Sequence, residues 1–176
     1  MRIMTRRQAR SAFTLIELVT VMVILGIVAV AVGGPTLANV DSMRNRAAAS
    51  RLLGDIRFMQ RTALSSGLRS WVVFNAGADS YQLFMEDPDN PGEANRLPVT
   101  SPMDQTSTGV QFGSGAFTNV AISSVSINST NELEFDNFGV PYDGAGAALT
   151  ATATISLSTG VTVTVQPVSG LVERAG

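Results

Sequence analysis

From Leu18 to Val32 the chain has no charged side chain. With Phe13 to Glu17 added, the run is twenty residues long. As a helix it would span about 30 Å, one hydrocarbon core. So long an apolar stretch needs lipid or protein around it, and this limits the chain more than any other feature. The segment before it, MRIMTRRQARSA, holds Arg2, Arg6, Arg7 and Arg10 and no acid. By the positive-inside rule this end stays in the cytoplasm and the rest of the chain lies outside.

Three architectures fit such a run. One is a plain transmembrane anchor. A second is a secretory signal, for which Ala29-Val30-Ala31 offers a cleavage site. The third is a leader cut on the cytoplasmic side, with the apolar segment kept. Glu17 separates them. An ionised carboxylate in hydrocarbon costs about 2.5–3.5 kcal/mol on insertion scales. A signal peptide or a simple anchor gains nothing from it.

The stretch FTLIELVTVMVILGI resembles the class III signal of type IV pilins and type II secretion pseudopilins. The resemblance implies cleavage between Ala12 and Phe13 by a prepilin peptidase and methylation of the new Phe13 amine. It also implies a pairing role for Glu17, whose carboxylate would meet the terminal amine of a neighbouring subunit. The physics agrees, because a buried carboxylate is tolerable when an ammonium neutralises it. The chain departs from the family in one place: Ala12 stands where Gly is usual.

Gly33-Gly34-Pro35 follows the run. Gly loosens the backbone, and Pro removes a helical hydrogen bond and disfavours helix before it. A kink, a short melted stretch or a helix boundary is expected there. A second helical pattern spans about 37 to 66. Val40, Met43, Ala47, Leu52, Leu53, Ile56, Met59 and Ala63 recur at three- and four-residue steps and read as one apolar stripe packed on a sheet. Gly67 reads as a left-handed stop. Arg44, Arg46, Arg51, Arg57 and Arg61 fall mostly off the stripe. With no aromatic residues among them, they read as a solvated or subunit-contacting face rather than a DNA-phosphate stripe.

The remainder reads as strands. Residues 70–74 and 80–86 flank a Gly-containing turn and predict a hairpin. Residues 119–127 and 132–136 suggest a second, with Asn and Ser in the turn. Residues 152–158 and 161–167 alternate with period two, burying Ile155, Leu157, Val161, Val163 and Val165. One long helix followed by antiparallel strands is an α+β fold. The expected organisation is a leader at 1–12, a transmembrane stem at 13–34, an amphipathic helix at 35–67 and a periplasmic β domain at 68–176. LLGDIRFMQRTALSSGLRSWVVF, LEFDNFGVPYDGAG and QPVSGLVER are similar to the GspH/FimT group of minor pseudopilins and minor pilins. That resemblance implies a single-pass inner-membrane subunit of a pseudopilus or pilus. Its partners would be other pilins, the prepilin peptidase, the membrane and secreted cargo, with DNA disfavoured.

Composition argues against catalysis. The chain has no His and no Cys, so the usual general base, thiolate sites and disulfides are absent. All twelve basic residues are Arg, so a phosphate loop ending in Lys is impossible. Glu132 and Glu134 share a strand face and read as solvated charges rather than a catalytic pair. Trp71 and Tyr81 read as packing residues. Glu86, Asp87, Asp89 and Glu93 lie in one loop but lack the spacing of a calcium loop. Asp136, Asn137 and Asp143 read as a tight turn. No catalytic residue, metal ligand or cofactor is expected.

Overall fold

The computed structural model describes residues 14–105, 107–158 and 160–175, and for residues 30–39 the backbone alone. The chain divides into two units, residues 1–39 and 40–176. One helix, α1 (Leu15–Ser66), supplies the described part of the first unit and the opening of the second. Its backbone stays helical through Gly33, Gly34 and Pro35. The melted stretch is therefore absent: one proline costs a single hydrogen bond, and a helix already nucleated on both sides propagates across it. The helix ends at Gly67, which adopts φ +71° and donates its N–H to the Ala63 carbonyl at 2.9 Å.

The buried face of α1 differs from the stripe read off the sequence. Asn45, Ala48, Ala49, Leu52, Ile56, Met59 and Ala63 are buried, while Val40, Met43 and Ala47 are exposed. At about 100° per residue, Val40, Met43 and Ala47 lie roughly opposite Leu52 and Ile56. The small residues Ala48 and Ala49 form the first turns of the packed face instead.

Among the described residues ten strands follow in chain order: β1 (Ser70–Asn75), β2 (Ser80–Glu86), β3 (Arg96–Pro98), β4 (Gly109–Gln111), β5 (Ile122–Ser126), β6 (Glu132–Phe135), β7 (Pro141–Asp143), β8 (Ala153–Leu157), β9 (Thr162–Val165) and β10 (Val172–Ala175). They form two antiparallel sheets. The first runs β3-β2-β1-β6-β7, with β4 also on β2; the second runs β10-β9-β8-β5. The β1–β2 and β8–β9 pairs match the expected hairpins. The hairpin expected between 119–127 and 132–136 does not form. β5 pairs with β8, and β6 pairs with β1 and β7. The Asn128-Ser129 turn, with both residues at positive φ, carries the chain from one sheet to the other. A turn residue pair reverses a chain but does not choose its partner.

Alternate residues of both sheets meet α1. Phe74, Leu83, Leu133 and Phe135 of the first sheet and Ile155, Val163, Val165 and Val172 of the second join Leu52, Ile56 and Met59 in one core. The helix is tied down by side chains that reach far along the sequence. Gln60 Nε2 donates to the Gly139 carbonyl at 3.0 Å and the Ser169 carbonyl at 3.3 Å. Arg57 donates to the Val172 carbonyl at 2.6 Å.

Gly170 sits under this clamp at φ +62°, where a Cβ would overlap Gln60 Nε2 and stand 2.9 Å from the Gly139 carbonyl oxygen. Gly170→Ala should therefore destabilise the domain by about 1–3 kcal/mol. Gly146 has φ +74° but open space around it. Gly146→Ala should lose only the backbone part, about 1 kcal/mol. Urea unfolding of the full chain in detergent reads the difference; equal losses would mean that the Gln60 contact is not limiting.

Candidate assembly surfaces

The first turn of α1 places Glu17. Thr14 precedes the helix, and its Oγ1 and carbonyl both accept the Glu17 N–H, at 3.4 and 3.1 Å. Thr14-Leu15-Ile16-Glu17 thus has the spacing of a capping box, with Glu17 at its third helical position. A carboxylate there also favours the positive end of the helix dipole. Sequence reasoning missed this local role, though the T-x-x-E spacing signals it. Glu17 has no ion-pair partner among the described residues. The large apolar side chains from Leu15 to Val28 are all exposed. Ala12 and Phe13, the expected cleavage and methylation positions, lie outside the described residues. Among the described residues, no helix is long and apolar enough to cross a membrane. The described side chains of this part of α1 stop at Ala29, short of the run's end at Val32.

The arginines of the second half of α1 are not one surface. Arg44 pairs with Asp41 at 3.2 Å, and Arg51 turns inward to Asp55 at 2.9 Å. Arg57 caps a carbonyl, as above. Arg46 and Arg61 are exposed.

Asp55 is the centre of a buried polar cluster. Its Oδ2 accepts the Arg51 Nε–H and, at 2.7 Å, the Tyr81 hydroxyl. Its Oδ1 accepts the Ser101 hydroxyl at 2.6 Å. Asp55, Tyr81 and Ser101 are buried. Burial, reinforced by the Asp55 charge, pushes the Tyr81 hydroxyl well above its ordinary range, so it stays a donor. The cluster fastens the loop after β3 to the helix.

The outer face of the first sheet, turned away from α1, carries a second network. Trp71 is fully buried there. The guanidinium of Arg96 lies 4.5 Å from its ring centroid and that of Arg69 5.2 Å, both within cation–π reach. Trp71 Nε1–H donates to Glu134 at 3.0 Å. Arg69 also binds Glu86 at 2.7 Å, and Arg96 binds Glu132 at 2.7 Å and Glu93. Glu132 and Glu134 are therefore covered and paired, not solvated as their alternation suggested. The covering arginines come from residues 69 and 96, which local spacing cannot reveal. Burial raises the Glu134 carboxyl above its ordinary value, while the hydrogen bonds from Arg69 hold Glu86 below it. The network seals a tryptophan with charge.

The acidic loop is divided by these pairings. Glu86 and Glu93 are taken by Arg69 and Arg96, and no group of three or more metal-ligating side chains occurs among the described residues. Asp136 Oδ1 accepts the N–H groups of Phe138 and Val140, and Asp143 Oδ1 those of Ala145 and Ala147. Both are turn-forming carboxylates, and the Ala147 N–H in particular holds Asp143 below its ordinary value.

Residues 7–33 match the family described as Prokaryotic N-terminal methylation motif. Two solved structures share the fold. One, described as the minor pseudopilin EpsH from the Type 2 Secretion System of Vibrio cholerae, has a TM-score of 0.54 and 9% identity, covering 76% of this chain and 96% of its own. The other, a crystal structure of the same Vibrio cholerae minor pseudopilin, has a TM-score of 0.54 and 10% identity, covering 76% and 94%. No curated protein matches the chain in sequence. The chain thus carries a prokaryotic N-terminal methylation motif over residues 7–33 and shares its α+β fold with the EpsH structures.

Proposed function

We propose that this chain is a minor pseudopilin, a non-catalytic structural subunit of a type II secretion pseudopilus. The observation that carries the reading is the methylation motif over residues 7–33 at the head of a chain with the EpsH fold. The precursor sits in the inner membrane by its apolar stem, with its N-terminus cytoplasmic and its β domain periplasmic. A prepilin peptidase cuts between Ala12 and Phe13 and methylates Phe13. The exposed apolar side chains of α1 then exchange lipid for the stems of neighbouring subunits, burying apolar surface. Glu17 sets the stagger by meeting a neighbour's terminal amine. The β domain faces outward, toward other subunits and secreted cargo.

Mass spectrometry of the mature amino-terminal peptide tests the reading. Methylated Phe13 is expected. A terminus at Val32 would mean secretory-signal cleavage and loss of the stem. An intact Met1 would mean a plain anchor. Either result overturns the proposal.

A further inference from the structure

We infer that the charged cover over Trp71 is a proton-operated latch, closed when Glu134 carries a proton and loosened when it does not. The latch is a property of the folded domain, and it stands or falls apart from the secretion reading. The cover gathers groups that lie far apart in the chain. Arg69 precedes β1, Glu86 ends β2, Glu93 lies in the short turn Glu93–Asn95, Arg96 opens β3, and Glu132 and Glu134 belong to β6. Across the strand pairs Trp71 stands opposite Phe84 and Glu134, and Glu134 opposite Tyr142. Arg96 passes over the Trp71 ring and ends on Glu132, so its side chain straps β3 to β6 across the outer face.

The cover is short of positive charge. Four carboxylates, Glu86, Glu93, Glu132 and Glu134, share the guanidiniums of Arg69 and Arg96. The shortage falls on Glu134. Its side chain is the least exposed of the four, at 8% against 54% for Glu93. Yet its arginine stands at 3.4 Å, while Glu86 and Glu132 hold theirs at 2.7 Å. Arg69 gives its shorter bonds to Glu86. Glu134 Oε2 is taken by the Trp71 N–H, a neutral donor that serves the acid as well as the anion. Oε1 has the long Arg69 contact alone, so a proton there displaces little. A buried carboxylate this far from its cation neutralises itself by binding one.

The direction of the response follows. Burial first, then the nearby Glu93 charge, favour neutral Glu134 by more than the Trp71 and Arg69 hydrogen bonds oppose it. When the cover lifts, water returns Glu134 to its ordinary value. Closing is therefore coupled to proton uptake. This contribution is full below the ordinary carboxylate range and is lost as pH rises through the raised value. Glu86, held low by Arg69, acts the other way and loses its contribution as pH falls below the ordinary range. The latch is thus tightest in mild acid and loosens toward neutrality and above. Ionised Glu134 then draws water into the cover, and water reaches Trp71. In the proposed topology this face lies outside the cytoplasm, so the latch would read the acidity of that compartment.

Trp71 is the chain's single tryptophan, so its fluorescence reports the cover without background. Acrylamide quenching of the full chain in detergent is the measurement. Between about pH 5 and about pH 8.5 the quenching constant should rise at least about twofold. Glu134→Gln still offers an oxygen to the Trp71 N–H and cannot ionise; its quenching should stay low at both ends. Glu93→Gln removes a negative neighbour from an exposed position and should move the midpoint of the rise to lower pH. Glu173→Gln, on β10 in the other sheet, should keep the parent profile. A flat parent profile, a rise that persists in folded Glu134→Gln, a midpoint that Glu93→Gln leaves in place or raises, or a profile flattened by Glu173→Gln would overturn the inference. Should Glu134→Gln fail to fold, the parent profile and Glu93→Gln decide it.

Discussion

Glu17→Gln should leave the chain in the membrane but largely outside any filament. The substitution is chosen because Gln serves the third position of a capping box as Glu does. The helix start, held by Thr14, is therefore preserved, and only the charge is lost. Breaking a buried ion pair by removing one partner costs about 3–5 kcal/mol, because the other charge is left alone. At 1.4 kcal/mol per tenfold, incorporation into sheared filaments should fall by at least about 100-fold, while membrane content changes little. Glu17→Asp should recover part of the loss. If Glu17 only capped the helix, Gln would be silent and Ala would cost about 1 kcal/mol of helix stability. Normal incorporation of Glu17→Gln would therefore remove the pairing role and leave the capping role.

The largest loss of stability should come from Asp55→Ala. This carboxylate is fully buried and accepts from Arg51, Tyr81 and Ser101 at 2.6–2.9 Å. Deleting it strands a mostly buried guanidinium and two hydroxyls. We expect a cost of about 3–5 kcal/mol, a large share of a typical domain's 5–15 kcal/mol. The melting temperature should drop by roughly 10–15 °C. Tyr81→Phe removes one donor and should cost about 1–2 kcal/mol. Ser101→Ala should mainly free the loop after β3, seen as faster proteolysis there. Replacing both charges, as Arg51→Met/Asp55→Leu, should recover much of the loss. An Asp55→Ala variant within about 1 kcal/mol of the parent would mean that water reaches the cluster and satisfies it.

What was legible in the sequence was local. The Gly67 stop and the β1–β2 and β8–β9 hairpins each depend on neighbours within a few residues; the Thr14–Glu17 capping box is as local but was overlooked. Most of what else was missed depends on distance along the chain. Val40, Met43 and Ala47 share a face with one another, but counted at about 100° per residue from Leu52 and Ile56 they fall on the opposite side, whereas Ala48 and Ala49 fall on the covered one. Asn128-Ser129 looks like a hairpin turn, yet β5 and β6 part because β8 and β1 offer better company. Glu132 and Glu134 look solvated until Arg69, Arg96 and Trp71 arrive over them. Arg51 reads as part of a solvated face; its i,i+4 spacing to Asp55 permits an ion pair, but nothing local shows that a tyrosine and a serine close that pair off from water.

The Gln60 clamp bears on when this molecule can become itself. Arg57 waits for Val172, Gln60 for Ser169, and Ser50 for Arg174, partners 109 to 124 positions downstream. Contacts of such span close late, since the chain must first bring its distant ends together. Until Ser169, Val172 and Arg174 emerge from the ribosome, and in the proposed topology from the export channel too, the buried face of α1 has no complete cover. A nascent chain stalled short of Val172 is therefore a sticky half-domain, and escorts that shield it would act in that interval.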